Sequence, residues 1–565
     1  MTGFNRENGQ PQAAIDSDKS LGSQGGAMSE MTLSAKTIEE LLTNVSVADL
    51  AADAATKRSA AHLQIITLPD ALCERAVTAI VHDSRAVSPG SLFFAIEGHA
   101  SDGHQYAQSA LDAGAAAIVA QKPIEGIDPT SLIMVNDSRI ALANAAAVFY
   151  DYPSKSINIS GVTGTNGKTT TIYLMDAIAR AAGERSGVIG TVESKYSLPN
   201  NPHTGLAEEC AHTSATTTPD ALQLQMLFAE MRGAGVQSVA MEVSSHAIDM
   251  HRVEQTSFAA VAFTNLSQDH LDYHNTMEEY QAVKERLFSD FETAARVINI
   301  DDQVGAELAA RLKSEGVEVM CVGMKSPTID GLSLDLTATN LVQGSHITEF
   351  TLTAISKSGN PEESIQVSFP LVGTYNVENA LVAAGCAYSR GISLEAIADG
   401  LSNAAQVPGR LEQVDRGQSF KVFVDYAHTP DALSTALAAV REQTAGRVIA
   451  VFGCGGDRDP SKRPLMARAA CEASDYVVVT SDNPRSEDPT AIVADVLKGI
   501  NSDEATCDTL VDRREAIFHA VAIADAGDSI LIAGKGHEDY QIFADETIHF
   551  DDREVARAAL ECLKG

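Results

Sequence analysis

Residues 157–170 read Ile-Asn-Ile-Ser-Gly-Val-Thr-Gly-Thr-Asn-Gly-Lys-Thr-Thr, and this stretch decides the fold of the chain. Its β-branched start predicts a buried strand, and Leu174 and Ile178 recur at helical spacing after the glycine-rich turn. A strand, a glycine-rich loop and a helix form a phosphate cradle, in which backbone N–H groups face the anion, Lys168 neutralises it and the Thr169 hydroxyl reaches Mg²⁺. The stretch therefore predicts an ATP or GTP site.

The loop is a variant of the common phosphate-binding pattern. That pattern places a glycine five residues before Gly167, where this chain has Val162. The alternative interpretation is a glycine-rich turn with an incidental lysine. The strand pattern before the loop and the helix pattern after it favour the nucleotide site.

Composition and charge limit the class of protein. The 565 residues suggest roughly three domains at about 150 residues each. The net charge of −35 argues against a nucleic-acid or anionic-membrane surface. The chain shows no signal peptide and no apolar run of about 18 residues, and its eight cysteines form no CxxC pair. We expect a cytoplasmic protein with reduced thiols and no membrane insertion.

Four segments are predicted along the chain. Residues 1–35 are polar and glycine-rich and predict a disordered tail, followed by folded domains over 36–155, 156–405 and 406–565. In the last two domains, strand and helix patterns alternate, which predicts parallel sheets with helices on both faces. The predicted fold class is α/β in three domains: a small N-terminal domain, a central domain like a P-loop ATPase and a Rossmann-like C-terminal domain.

Polar residues follow two predicted strands of the central domain. Glu242 follows the strand pattern 238–241, and His270 lies beyond the pattern 259–263. Because ligands bind at the carboxyl ends of parallel strands, these residues predict a Mg²⁺–ATP site with the glycine-rich loop. From the residues alone, Lys284 is a solvated surface lysine, and Asn379 fits either a helix cap or a ligand contact.

The C-terminal domain repeats the pattern with four polar turns after four strand patterns, 421–424, 447–452, 475–480 and 528–532. Turns at strand ends of one sheet predict a second wall of the cleft. The cationic residues expected on that wall are Arg458, Lys462, Arg463, Arg485 and Lys535.

In the first domain, Asp83, Ser84 and Arg85 follow a strand pattern. Hydroxyl and guanidinium donors suit a phosphorylated or nucleotide ligand. A simple loop role is equally open.

Several motifs in one order give the chain a resemblance to a known family. The motifs are Gly164–Thr170, Met241–His246, Tyr375–Ala380, Pro408–Arg410, Asp425–Pro430 and Asp482–Arg485. The chain resembles the Mur ligases, the ATP-dependent amide ligases that build the stem peptide of peptidoglycan, over about residues 60–565. The resemblance implies that the first domain binds a nucleotide sugar.

The resemblance also implies the reaction. ATP phosphorylates the terminal carboxylate of UDP-N-acetylmuramoyl-L-Ala-D-Glu, and the amine of meso-diaminopimelate displaces the phosphate. The expected enzyme is a monomer that uses Mg²⁺ and small-molecule substrates, with no nucleic-acid partner.

The resemblance assigns residues to ATP, the metal and catalysis. The nucleotide set is Gly164, Thr165, Asn166, Gly167, Lys168, Thr169, Thr170, Asn379, Arg410 and Asp425. The metal set is Thr169, Glu242, His270 and Lys284, with Lys284 converted by CO₂ to a carbamate. Lys168, Glu242, His270 and Lys284 are the implied catalytic residues.

The other two substrates receive their own residues by the same resemblance. The set for the UDP-muramoyl dipeptide is His82, Ser84, His99, Ala100, Ser101, Thr216, Thr217, Thr218, Ser244, Met250 and Arg252. The set for diaminopimelate is Arg458, Asp482, Asn483, Pro484, Arg485, Gly534 and Glu538. Arg485 suits the carboxylate that distinguishes diaminopimelate from lysine.

Two alternatives stay open. One is another amide ligase of the same build, either lysine-adding or like folylpolyglutamate synthetase, and Arg485 argues against it. The other is a nucleotide-binding switch without catalysis, and the joint presence of Lys168, Glu242, His270 and Lys284 argues against it.

Overall fold

The computed structural model describes residues 35–43, 63–98, 101–199, 208–214, 216–344, 347–355, 363–501 and 505–563. Almost all of the predicted disordered tail lies outside these ranges. The first described helix is Ile38–Thr43, and residues 44–62 also lie outside these ranges. Among the described helices, none is long and apolar enough to cross a membrane.

Within the described ranges, the central domain is built on one sheet of eleven strands. In spatial order they are Glu209–Thr213, Glu193–Ser197, Ser186–Ile189, Ser238–Glu242, Asn158–Thr163, Phe258–Phe263, Thr293–Asn299, Met320–Gly323, Leu336–Gln343, Thr348–Ala354 and Glu363–Phe369. The middle of the sheet, from Ser186–Ile189 to Leu336–Gln343, is parallel. Antiparallel strands extend both edges, so the sheet is mixed, and only its parallel part was predicted from the sequence.

Side chains along the central strands point alternately to the two faces of the sheet, and each face has its own hydrophobic core. Val162 and Ala262 pack into one core and Ile159 and Val261 into the other, because successive side chains of a strand point to opposite faces. The described helices of this domain cover both faces. They are Lys168–Ala181, Ala221–Gly233, Ser245–Asp249, Leu271–His274, Met277–Ser289, Gln303–Ser314, Thr374–Ser389 and Leu394–Ser402.

The C-terminal domain carries a six-stranded sheet within the described ranges. In spatial order its strands are Glu412–Gln413, Lys421–Asp425, Ser529–Ala533, Val448–Phe452, Tyr476–Val479 and Thr506–Thr509, with a separate hairpin of Tyr540–Ile542 and Thr547–His549. All neighbours pair in parallel except the first strand. Its described helices are Pro430–Glu442, Lys462–Ala473, Pro489–Leu497, Arg513–Ile523 and Asp552–Cys562. The predicted Rossmann-like arrangement is thus confirmed, and its four predicted polar turns leave one edge of the sheet.

The first domain has a five-stranded sheet within the described ranges. In spatial order its strands are Ile65–Thr67, Leu132–Val135, Ala117–Ala120, Ser91–Phe94 and Ala79–Val81, and Lys36–Thr37 pairs separately with Ala76–Val77. The helices described here, besides Ile38–Thr43, are Asp70–Cys73, Ala107–Asp112 and Ser138–Phe149, with 3₁₀ turns at Ser84–Ala86, Gly103–Tyr106, Pro129–Ser131 and Pro153–Ser156. The three sheets therefore fall inside the three predicted folded segments, and the segment boundaries themselves stay predictions.

The glycine-rich loop leaves the carboxyl end of Asn158–Thr163, in the middle of the central sheet. Gly167 has a φ of +85°, which favours glycine, and a Cβ atom there would overlap the side-chain oxygen of Asn379. Gly164 has a φ of +147°, and a Cβ atom there would overlap the Thr264 hydroxyl. Both glycines therefore allow the loop to lie close to its neighbours.

Candidate active site

Lys168 folds back over the glycine-rich loop. Its Nζ donates to the carbonyl oxygen of Gly164 at 2.9 Å and to that of Thr165 at 2.8 Å. Burial lowers the pKa of the Lys168 ammonium, although Glu242 and Asp269 oppose the shift. The loop thus holds the Lys168 ammonium at the start of helix Lys168–Ala181. The N-terminus of a helix also favours a bound anion, so both features suit a phosphate group.

Glu242 is a buried carboxylate at the end of strand Ser238–Glu242, with 1% of its surface exposed. It accepts hydrogen bonds from the Thr169 hydroxyl at 2.9 Å, the Thr191 amide at 2.8 Å and the Thr191 hydroxyl at 3.1 Å. No Lys, Arg or His within the described residues forms an ion pair with it. A buried carboxylate beside a hydroxyl, without a cationic partner, has the oxygen chemistry that Mg²⁺ prefers.

Lys284 is buried, which corrects the reading of this residue as a surface lysine. Only 2% of it is exposed, and its Nζ donates to the Gly164 carbonyl at 2.9 Å and lies 4.5 Å from the centre of the Tyr280 ring. The pattern of residue types along helix Met277–Ser289 did not reveal this burial, because the helix packs a polar residue, Lys284, against the glycine-rich loop. Burial, and then the charge of Lys168, hold the pKa of Lys284 well below its usual value.

His270 lies among other aromatic rings beside the loop. Its backbone has a φ of +55°, and its ring centre is 4.8 Å from that of His246 and 6.1 Å from that of Tyr280. Burial lowers the pKa of His270 to about 3, although Asp269 opposes the shift. A neutral imidazole is the form that binds metal ions.

The C-terminal domain reaches the glycine-rich loop directly. Arg410 donates to the Thr169 hydroxyl at 2.7 Å, and Asn166 donates to the Asp431 carboxylate at 3.0 Å. The Arg410 guanidinium also lies 4.8 Å from the centre of the Tyr426 ring. These contacts close the candidate nucleotide site from the third domain.

A cleft of about 390 Å³ lies between the two domains and contains most of the predicted nucleotide residues. Those on its wall are Thr165, Asn166, Gly167, Lys168, Thr169, Thr170, Asn379, Arg410 and Asp425, together with Glu242, His270 and Lys284. Gly164 is absent from this wall. The capping alternative for Asn379 is wrong, because helix Thr374–Ser389 begins after Gly373 and the Asn379 amide donates to Asn376.

A second cleft, of about 580 Å³, lies at the strand ends of the C-terminal sheet. Its wall includes Arg458, Asp482, Asn483, Arg485, Gly534 and Glu538, but not the predicted Pro484. Arg485 has a φ of +53°, and its guanidinium donates to the Gly456 carbonyl at 2.8 Å. The structure therefore brings six of the seven residues predicted for diaminopimelate to one cavity.

Three cations on this wall, Arg458, Lys462 and Arg485, have no carboxylate within ion-pair distance among the described residues. Cations without a partner suit an anionic ligand. Arg463, predicted on the same wall, points away from it and pairs with Glu487 at 2.8 Å and Asp495 at 3.0 Å. Lys535 is also fully buried and off the wall. The sequence alone could not distinguish the three cations that line the cleft from the two that are buried away from it.

Six of the residues predicted for the UDP-muramoyl dipeptide lie in the central domain, and one of them, Thr218, contacts Glu242. Thr218 donates to the Glu242 carbonyl at 2.9 Å, and Arg252 donates to the Thr218 carbonyl at 2.9 Å. Ser244 caps helix Ser245–Asp249, and the Met250 sulfur accepts from Arg252 at 3.4 Å. Thr216 and Thr217 line the larger cleft.

The first-domain residues stand apart from both clefts. His82 forms an ion-pair contact with Asp220 of the central domain at 3.3 Å. Ser84 and Ser101 line neither cleft, and His99 and Ala100 lie outside the described residues. Arg85 pairs with Asp83 at 2.7 Å, which supports a loop role for this pair.

Most of the residues that the two clefts share were not predicted from the sequence. Thr191, Thr217, Asp269, His270, Tyr426 and His428 line both cavities. Of these, only Thr217 and His270 were predicted as site residues. The Asp425–Pro430 motif pointed to Tyr426 and His428, but nothing in the local pattern around Thr191 signals its contact with Glu242.

No three histidine, cysteine, aspartate or glutamate side chains come together as a metal cluster in the part of the chain that is described. The oxygen set of Thr169 and Glu242 nonetheless fits Mg²⁺, which commonly uses one or two protein ligands together with substrate phosphates. The Lys284 amine is buried and has no ion-pair partner among the described residues, which fits reaction with CO₂.

Comparison with protein families identifies the class. Residues 76–150 match the model "Mur ligase family, catalytic domain", 162–387 match "Mur ligase middle domain", and 409–536 match "Mur ligase, glutamate ligase domain". The chain belongs to the Mur ligase family, as its motifs predicted.

Individual relatives are more specific. The chain is 43% identical over 491 residues to UDP-N-acetylmuramoyl-L-alanyl-D-glutamate--2,6-diaminopimelate ligase of Bacillus cereus, covering 86% of this chain and 94% of that protein. It is 44% identical over 492 residues to the protein of that name from Geobacillus kaustophilus, covering 86% and 95%. A solved structure with that name superposes with a TM-score of 0.60 at 33% identity, covering 88% of this chain and 98% of the other.

Proposed function

We propose that this chain is an ATP-dependent ligase that adds meso-2,6-diaminopimelate to the D-glutamate γ-carboxylate of UDP-N-acetylmuramoyl-L-alanyl-D-glutamate. One observation carries the proposal. We call the cleft beside the glycine-rich loop the nucleotide cleft, and the second cleft, with Arg458, Lys462 and Arg485 on its wall, the cationic cleft. The two clefts share six wall residues, Thr191, Thr217, Asp269, His270, Tyr426 and His428. An acyl group phosphorylated in the first cleft is therefore open to attack by an amine held in the second.

The reaction proceeds in two steps. ATP transfers its γ-phosphoryl group to an oxygen of the γ-carboxylate, which gives an acyl phosphate and ADP. The amine of diaminopimelate then attacks the acyl carbon, the bond from carbon to the phosphate oxygen breaks, and the nitrogen loses a proton as the amide forms. The protein contributes mainly by holding the reactants and stabilising charge.

The glycine-rich loop and its partners hold the phosphates in this proposal. Lys168 of the central domain lies against the carbonyls of the glycine-rich loop, and Arg410 of the C-terminal domain donates to Thr169, so each domain supplies a cation to the transferring group. Thr169 and Glu242 would hold Mg²⁺, with His270 beside a second ion, and bound Mg²⁺ would stabilise the charge on the phosphoryl oxygens.

We also propose that Lys284 carries a carbamate. An ammonium at this position would repel Mg²⁺, whereas a carbamate supplies anionic oxygen. Carbamate formation requires the neutral amine, which burial favours at Lys284.

Recognition of the amino acid rests on the cationic cleft. Arg485 is proposed to bind the carboxylate at the far end of diaminopimelate in a bidentate fork, and Glu538 to accept from an ammonium group. Lysine lacks that carboxylate and would leave the guanidinium without an anionic partner, which disfavours lysine strongly.

The dipeptide substrate is proposed to bind through Thr216, Thr217, Thr218, Ser244, Met250 and Arg252, with its nucleotide at His82, Ser84 and residues 99–101 of the first domain. The remaining proposals are that the chain acts as a monomer, in the cytoplasm, and in peptidoglycan synthesis for cell-wall growth and division.

The test is phosphate release with UDP-N-acetylmuramoyl-L-Ala-D-Glu and ATP, comparing meso-diaminopimelate with L-lysine. We expect a preference for diaminopimelate of about a hundredfold or more that is lost in Arg485→Ala. Arg468→Ala, an exposed arginine on helix Lys462–Ala473, is the matched control and should retain the preference.

Equal use of both amino acids would contradict the specificity while leaving an amide ligase in place. No phosphate release with either amino acid would overturn the proposed function and favour the nucleotide-binding switch.

A further inference from the structure

Lys535 is a completely buried lysine directly behind the cationic cleft. It lies in the turn that follows strand Ser529–Ala533, and its ammonium makes contacts inside the protein. Nζ donates to Asn483 Oδ1 at 2.8 Å and to the Tyr540 carbonyl at 2.8 Å. Asp482 and Glu538 carboxylates lie 3.7 and 3.8 Å from the same atom.

Asn483 receives its orientation from these contacts. Its Oδ1 accepts from Lys535 Nζ and, at 3.0 Å, from the backbone amide of Ile542. Both partners are obligate donors, so only the oxygen of the side-chain amide fits against them. The amide NH₂ must then face the other way, and it donates to Glu538 Oε2 at 2.8 Å.

Glu538 is thereby fixed in the cleft wall. One carboxylate oxygen is held by Asn483, and the side chain stays largely buried beside the cavity. A carboxylate held in one geometry binds an ammonium group with less loss of conformational freedom than a mobile one.

From this network we propose that Lys535 is a positioning residue for the amino-acid substrate: it fixes the Asn483 amide and, through that amide, the Glu538 carboxylate that receives the substrate ammonium. This inference rests on the proposed function, since it assumes an amino acid in this cleft. Lys535 itself does not line the cleft and acts only through its neighbours.

Removal of the ammonium has a defined consequence. In Lys535→Met, Asn483 Oδ1 retains only the Ile542 donor, and Asp482 and Glu538 lose the cation between them. The amide of Asn483 then keeps one of the two donors that fix its orientation and is held less firmly, and the two carboxylates repel each other.

The experiment measures KM for meso-diaminopimelate, KM for ATP and kcat in wild type and in Lys535→Met. We expect KM for diaminopimelate to rise about tenfold or more, with KM for ATP and kcat changed by less than about threefold. Thermal unfolding shows whether each variant is folded. If Lys535→Met is insoluble, Lys535→Gln, which retains a donor, is measured by the same criteria.

Lys421 offers a matched control. Its Nζ also donates to a backbone carbonyl and a side-chain amide oxygen, both of Gln443, at 3.1 and 3.2 Å. It starts strand Lys421–Asp425 at the end remote from the cleft. Lys421→Met should leave KM for diaminopimelate unchanged.

A second arm tests whether Lys535 acts through Asn483. The double variant Lys535→Met/Asn483→Ala should have no higher KM for diaminopimelate than Asn483→Ala alone, because both changes remove one network. Additive effects, or a KM in Lys535→Met within about twofold of wild type, would overturn the inference while an active wild type leaves the proposed function standing. An inactive wild type would overturn both.

Discussion

The Arg410 guanidinium of the C-terminal domain donates a hydrogen bond to the Thr169 hydroxyl of the central domain at 2.7 Å. Thr169 in turn donates to Glu242, so one chain of hydrogen bonds runs from the third domain to the proposed metal ligand. The two domains therefore meet at the group that would contact Mg²⁺ and the phosphates.

Arg410→Met is expected to weaken ATP binding. The change removes a cation from the phosphate site and the contact with the Tyr426 ring, so we expect the Kd for ATP to rise about tenfold. Equilibrium binding by calorimetry measures it. Arg441→Met, which affects an exposed pair with Asp475 and a hydrogen bond to the Gly446 carbonyl, is the control. An unchanged Kd in Arg410→Met would remove Arg410 from the nucleotide site.

Activity is expected to depend on CO₂ through Lys284. Removal of dissolved CO₂ should lower kcat, and added bicarbonate should restore it, because the buried amine is the form that reacts. Lys284→Arg should be inactive at every bicarbonate concentration, since a guanidinium does not form this carbamate. Lys195→Arg, a partly exposed lysine paired with Glu193, is the control. Wild-type activity that is indifferent to CO₂ would contradict the carbamate.

Binding of the amino acid is expected to weaken at low pH. Burial raises the pKa of the Glu538 carboxyl above its ordinary value, Asp482 adds to the shift, and Lys535, Asn483 and Arg485 oppose it. A raised pKa means that the carboxyl becomes protonated, and stops accepting from an ammonium, at a higher pH than an ordinary glutamate does.

The measurement is KM for diaminopimelate from about pH 8 down to about pH 5. In the wild type, KM should rise as the pH falls. In Glu538→Gln, KM should be higher than in the wild type and should change less with pH. Parallel profiles for the two proteins would exclude Glu538 as the source of the pH dependence.

A buried ion pair stabilises the sheet behind the cleft. Arg513 and Asp552 are both fully buried, pair at 2.7 Å, and Arg513 also donates to the carbonyls of Ser481 and Ala533. Arg513→Met leaves the Asp552 carboxylate without its cation, which should cost about 3–5 kcal/mol. Urea unfolding of the C-terminal domain measures the loss.

Arg441→Ala is the comparison for that measurement, because its pair with Asp475 is half-exposed on the same domain and should contribute less than about 1 kcal/mol. Equal losses in the two variants would contradict the assignment of stability to burial. Arg513→Met/Asp552→Leu removes both charges and should recover part of the loss.

The sequence predicted the fold where local pattern and tertiary structure agree. The strand before Gly164 is a buried, β-branched run and the helix from Lys168 has apolar residues at helical spacing, so both were predicted correctly. The antiparallel edge strands of the central sheet were missed, because their pairing depends on contacts between segments and not on periodicity along one segment.

At the candidate site, too, residues whose place follows from the local sequence were predicted, and residues placed by contacts between segments were not. Glu242 and the Asp482–Arg485 turn were predicted because they follow strands, and strand ends converge in a parallel sheet. Lys284 and Lys535 were misplaced because burial of a lysine is set by the segment packed over it. Thr191 was missed because its partners, Glu242 and Thr217, are far away in sequence.

The chain has no tryptophan and twelve tyrosines, three of which, Tyr280, Tyr375 and Tyr426, line the nucleotide cleft. Its near-ultraviolet emission is therefore that of tyrosine alone, and three of the twelve emitting residues lie at the junction of the central and C-terminal domains. A single tryptophan introduced near that junction would be the only indole in the molecule. Its fluorescence would follow the approach of the two domains without interference from any other residue.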